Sequence, residues 1–154
     1  MNTLHDAAIA GDIRIVKLLA GQGHDVNARN GIGFTPLHYT ALRGDIEMAN
    51  LLFDKGANAN ARDEFGWTPL HYAADNVHTG IVDLLLDKGA DINARGSDGN
   101  TPLHFATSRV IQLLIDRGAD VNARNHDGGT PLYLAAHEHQ TEVVAILEAH
   151  GGIR

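Results

Sequence analysis

Apolar positions along the chain gather into short bursts at helical spacing, separated by polar stretches that carry glycine. In "IVDLLLDKG", Ile81, Val82, Leu85 and Leu86 share one helical face. Just upstream, "TPLHYAA" sets Leu70, Ala73 and Ala74 at the same period, and the small side chains permit close helix packing. Thr68 predicts an N-cap whose hydroxyl serves an orphan backbone donor. Pro69 suits the first helical position, where a missing N–H costs nothing. A turn is expected at residues 78–80. Lys88 favours the C-terminal dipole of the second helix, and Gly89 supplies a left-handed terminus. "ADINARGSDGN" then reads as an extended loop leading to the next cap.

This pattern recurs. "TPLH" begins at Thr35, Thr68 and Thr101, spaced by 33 residues, and "TPLY" follows 29 later at Thr130. One period before Thr35, "NTLHDAA" opens at Asn2 as a weaker copy. In the same phase run "HDVNAR" at His24, "ANANAR" at Ala57, "ADINAR" at Ala90 and "ADVNAR" at Ala119. A single domain spanning residues 1–154 is therefore expected, with units of about 2–34, 35–67, 68–100, 101–129 and 130–154. Helices of roughly 8 to 10 residues are marginal alone in water. Stacked units bury one another's apolar faces, which is the logic of a solenoid. Phe53, Leu86 and Ile115 fill the last apolar slot of the inner second helices. Ala20 and Glu148 stand there in the outer units, so a capped array is expected.

A 33-residue period carrying "G-x-TPLH-x-AA" and "LLL-x-x-GAD-x-NA" resembles the ankyrin repeat family, over about Asn2 to Gly152. The resemblance implies an all-α solenoid of stacked helix-turn-helix units with projecting β-hairpin loops. It implies a concave recognition face made of hairpin tips and first helices, protein partners and no catalytic machinery.

Composition narrows the functional classes. The chain is 44% hydrophobic and 20% charged, enough for a core with a solvated surface. It has no cysteine, which excludes a disulfide scaffold, thiol catalysis and cysteine-ligated zinc. A net charge of −7 disfavours nucleic acid as a partner. No apolar run approaches the roughly 20 residues of a membrane span, and "MNTLHDAAIAGD" shows no secretory pattern, so a cytoplasmic location is expected.

Of ten histidines, His5, His38, His71 and His104 repeat in one slot, with Tyr133 standing there in the last unit. A catalytic base is needed once, so a repeated structural bond is expected; in the family this histidine ties its unit to neighbouring loop backbone and cap threonine. In "HEH", His137 and His139 lie two apart on a helix and share no face, so no metal is expected. No cofactor is expected either. Arg29, Arg62, Arg95 and Arg124 are expected at a solvated edge, paired with nearby aspartates. Asn27, Asn60, Asn93 and Asn122 are expected to fix their loops.

The eight aromatics carry the sharper functional signal. Phe34 and Trp67 precede cap threonines, and Phe65 and Ile32 occupy loop tips. Tyr39, Tyr72 and Phe105 follow the repeated histidine, a position divided between inter-unit packing and partner contact. An exposed tip offers little to bury a ring, and clustered exposed aromatics mark interaction sites. Ile32, Phe34, Phe65 and Trp67 are therefore expected at the centre of a partner surface. Leu42, Arg43, Glu64, Asp75 and Asn100 are expected at its rim, with Tyr39, Tyr72 and Phe105 behind it. Later tips are polar, as at Ser97, Asp98 and Asn100.

Two departures predict local irregularity. Pro102 to Gly118 spans 16 steps against 20 from Pro69 to Gly89, so the fourth unit lacks about one helical turn near residues 107–109. Val77 stands where a turn glycine with positive φ is usual, so the turn is expected to be rebuilt around Asn76. The expected function is protein–protein interaction through tips and first-helix face, by a monomer rather than a homo-oligomer. A self-associating structural scaffold is the alternative.

Overall fold

The computed structural model describes residues 3–154, so the expected unit start at Asn2 lies outside the described residues. Ten helices alternate as five pairs: α1 Leu4–Ala10 with α2 Ile13–Gly21, α3 Pro36–Arg43 with α4 Ile46–Asp54, α5 Pro69–Asp75 with α6 Thr79–Asp87, α7 Pro102–Phe105 with α8 Ser108–Asp116, and α9 Pro131–His137 with α10 Thr141–Ala149. First helices pack in series on one side and second helices in series on the other. One apolar core threads all five pairs. Leu37, Leu70, Leu103 and Leu132 contribute from first helices, and Leu52, Leu85, Leu114 and Leu147 from second helices.

The caps follow the sequence. Thr35, Thr68 and Thr101 sit extended before prolines at the first helical turn. In each, the histidine two residues past the proline folds back on its threonine: His71 Nδ1 accepts the Thr68 N–H at 3.1 Å and lies 3.0 Å from the hydroxyl. Its Nε2 donates to the Asn100 carbonyl, just ahead of the next cap threonine, at 3.2 Å. His38 reaches the Trp67 carbonyl and His104 the Gly129 carbonyl in the same way. Where Tyr133 replaces histidine, the Thr130 hydroxyl accepts the Tyr133 N–H and donates to the Ile153 carbonyl instead.

The asparagine ladder fixes loops across unit boundaries. Asn60 donates to the Gly89 carbonyl and accepts from the Asp91 N–H, at 2.9 and 2.7 Å. Asn27, one unit earlier, and Asn122, two units later, make the same double link. The arginine ladder is exposed, as expected, but the partners differ. Arg62 donates to the Gly66 and Arg95 carbonyls, and Arg95 to the Arg124 carbonyl, rather than to aspartates. Loop carbonyls left open by the tight turns satisfy the guanidinium fork within reach.

Each loop closes with one bond, as from the Asp63 N–H to the Trp67 carbonyl at 3.0 Å. Neighbouring tips are tied by Glu64 N–H to Ile32 carbonyl, Ser97 N–H to Phe65 carbonyl and His126 N–H to Asp98 carbonyl. These hairpin-shaped loops form no strand among the described residues.

The shortened unit loses helix where expected: α7 has 4 residues against 7 in α5, and extended Ala106 and Thr107 lead straight into α8. Two turn details differ from expectation. Val77 itself takes φ +63°, with Asn76 at −92°, so the turn is not rebuilt around Asn76. The bond from His78 N–H to the Ala73 carbonyl at 3.0 Å holds Val77 in the glycine-like conformation seen at Gly44. The second helix also starts at Thr79, inside the stretch expected to be turn.

Candidate functional site

The loop tip at residues 63–67 is organised by one acidic side chain. Asp63 is buried; its Oδ1 accepts the N–H groups of Phe65 and Trp67 at 2.8 and 2.9 Å. Its Oδ2 accepts the Tyr72 hydroxyl at 2.5 Å. Burial and this bond to a carboxylate push the Tyr72 hydroxyl well above the ordinary phenol range, so it stays a donor. Asn30 does the same work one unit earlier, accepting from Ile32 and Phe34 N–H groups and donating to the Tyr39 hydroxyl.

With the tip so held, Phe65 projects outward, 62% exposed, and Trp67 turns inward. The indole stacks on His71 at 5.4 Å and 22°, and lies 5.1 Å from Tyr72 and 4.6 Å from Phe105. Phe34 repeats the arrangement, stacked on His38 at 5.1 Å and 5.0 Å from Tyr72. A band of rings thus runs without a break from Tyr39 through Phe34, Tyr72 and Trp67 to Phe105.

The histidines beneath this band are neutral. Nε2 faces a carbonyl and so carries the proton, while Nδ1 already accepts a backbone N–H. Burial, the dominant cause, pushes His71 down to about 4, and lowers His38 and His104 as well.

Between the tips of the second and third units lies a cleft of about 330 Å³, lined by Glu64, Phe65, Trp67, Tyr72, Ser97 and Asp98. Its floor is aromatic, and its charged groups are both carboxylates. The expected site residues Glu64, Phe65, Trp67 and Tyr72 therefore converge. Ile32 is also exposed at the preceding tip, and Arg43 and Asp75 lie exposed at the ends of their first helices. Tyr39, Leu42 and Phe105 are half-buried, and the Leu42 carbonyl accepts from His78.

Two expectations are corrected. Phe34 is only 6% exposed, because the tip bends it under Tyr39 and Tyr72 rather than presenting it. Asn100 is likewise buried: its side chain bonds Asp98 and Asn125, and its carbonyl receives His71. Trp67 is half-buried, with one part in the cleft and the rest against α5 and α7.

Sequence reasoning left Asp63 and Gly96 without a role and read Ser97 and Asp98 only as polar tip residues outside the site. A Cβ at Gly96 would fall 2.9 Å from Trp67 Cδ1, so the indole occupies the space a side chain would need. A signal was present: residues nine apart pair as Asn30 with Tyr39 and Asp63 with Tyr72, whereas Gly96 goes with Phe105, where neither side chain is polar.

Among the described residues, no group of histidines, aspartates and glutamates is placed to hold a metal, and no helix is long and apolar enough to cross a membrane. A comparison with curated proteins gives no match. The family model described as "Ankyrin repeats (3 copies)" matches residues 4–96 and 93–153. With paired helices stacked in phase with its repeats over nearly its whole length, the chain belongs to the ankyrin repeat family.

Proposed function

We infer that this chain is a protein-interaction module whose principal contact site is the cleft between the second and third tips. Ankyrin repeats generally mediate protein–protein contacts. The observation that carries the site is Phe65, a large apolar ring left mostly in solvent beside an aromatic-floored cleft. Isolated exposed apolar residues are ordinary, but a ring beside a concave aromatic floor has the form of an anchor position. Ile32, Arg43, Glu64 and Asp75 extend the surface, with Tyr72, Leu42 and Phe105 partly beneath it.

The self-associating alternative is less favoured. A second copy would bring its own −7 charge and its own carboxylates to the same cleft. The test is quantitative affinity capture from source lysate with the native chain and Phe65→Ala, alongside sedimentation velocity. Recovery of a specific protein should fall several-fold with Phe65→Ala while the melting temperature holds, and both chains should sediment as monomers. Equal recovery would remove the cleft from the interface, and a Phe65-dependent dimer would favour the scaffold. Trp67→Ala is the poorer probe, because the indole also packs on His71 and Phe105.

A further inference from the structure

The geometry points to the chemistry of the occupant, on the reading that the cleft is a contact site: an extended protein segment with a large apolar side chain flanked on both sides by lysine or arginine. The two walls come from adjacent loops, and each carries one carboxylate, Glu64 on one and Asp98 on the other. No lysine or arginine lines the space between them. Neither carboxylate joins an ion pair among the described residues; the ion pairs there are Arg14 with Asp12, and Arg117 with Asp83 and Asp87. The ladder arginines Arg29, Arg62 and Arg95 are committed to loop carbonyls. Asp98 accepts only neutral donors, the Asn100 backbone and side-chain N–H groups.

The floor sets the other half of the specificity. The Tyr72 hydroxyl is held by Asp63, so this residue offers the cleft a ring rather than a free polar group. Trp67 adds its face and Phe65 an exposed lip. An apolar side chain entering here leaves its flanking residues against one carboxylate on either side. Cationic flanks gain from both, and anionic flanks are repelled by both.

Trp67 is the chain's single tryptophan, so its emission reports the cleft directly. The probes are three blocked, tryptophan-free octapeptides: Leu and Phe at the centre with Lys/Arg ends, the same centre with Glu ends, and a Ser centre with Lys/Arg ends. The first should shift the emission saturably and bind at least about tenfold tighter than the second. It should weaken about three- to tenfold with Glu64→Gln plus Asp98→Asn, and at raised salt. Glu64→Gln alone, at an exposed side chain, should show part of the loss if the double variant folds poorly. Equal binding of the Lys/Arg-ended and Glu-ended peptides overturns the charge selectivity and leaves the cleft as a contact site. Equal binding of the Ser-centred peptide overturns the apolar requirement. No emission change with any peptide overturns the inference outright, while capture by Phe65 remains a separate measurement.

Discussion

At the scale of single residues, the form of the loop tips depends on what lies under them. Gly96 has no side chain because Trp67 fills the space. Gly96→Ala is expected to destabilise by about 1–3 kcal/mol, as overpacking does. Combining it with Trp67→Leu should cost less than the sum of the two, and a double-mutant cycle by chemical denaturation checks the coupling. Strict additivity would mean that the two sites do not touch. This is also where sequence reading reached its limit. The clustering of Phe65, Trp67 and Tyr72 was legible, because the rings break a polar habit at the tips. The inward turn of Phe34 was not. It follows from Asn30 accepting two tip N–H groups, a bond pattern that repeat spacing does not encode.

The buried histidines belong to the same scale and predict a pH response. The unfolded chain takes up protons at these side chains below about pH 6.5, whereas folded His71 resists until about 4. Protons therefore favour unfolding across that window. Stability is full above about pH 6.5 and falls as the pH drops, by on the order of 3 kcal/mol from His71 by pH 4. Melting temperatures measured between pH 7 and 4.5 should decline, and the slope should flatten in His71→Gln even though that variant starts lower. Parallel slopes would assign the acid sensitivity to other groups.

At the scale of elements, the inter-helix turns show where local preference loses to the fold. Val77 and His139 hold φ of +63° and +59° where Gly11 and Gly44 stand in other units. A left-handed conformation costs a side-chain-bearing residue about 1–2 kcal/mol, against about 0.5–1 kcal/mol for the extra freedom of unfolded glycine. Val77→Gly should therefore raise stability by roughly 0.5–1 kcal/mol. A melting temperature that stays level or falls would refute this. The expected rebuilding around Asn76 failed because the flanking helices dictate the turn: their packed faces fix its ends, and the valine yields. By contrast, the missing turn of α7 was readable, since a deletion of about one helical period can fall only where both core motifs survive.

At the scale of the whole molecule, nearly all of the architecture was legible, because one unit's signals are confirmed four more times in phase. Repetition supplies what a lone short helix lacks. What repetition hides is the exception, and the exceptions here are the chemistry: Asp63 for Asn30, Gly96 for Asp63, Phe105 for Tyr72. The cleft lies among these substitutions, and its prediction belongs to this scale too. Binding that is lost with Phe65→Ala, at unchanged stability, would place function in the irregular slots.

The polar links between units have one more consequence. Histidine side chains reach the loop backbone just ahead of the next cap, asparagine side chains reach backbone groups of the next unit, and both links persist at the shortened fourth unit, from His104 to the Gly129 carbonyl and from Asn93 to the Asp120 N–H. The spacing of the tips is thus gauged by peptide groups along the loop side, not by the length of the helices behind them. Helices in such a chain are free to shorten or drift in sequence while the pitch of the loop edge stays constant, much as a ruler keeps its graduations whatever handle is fixed to its back.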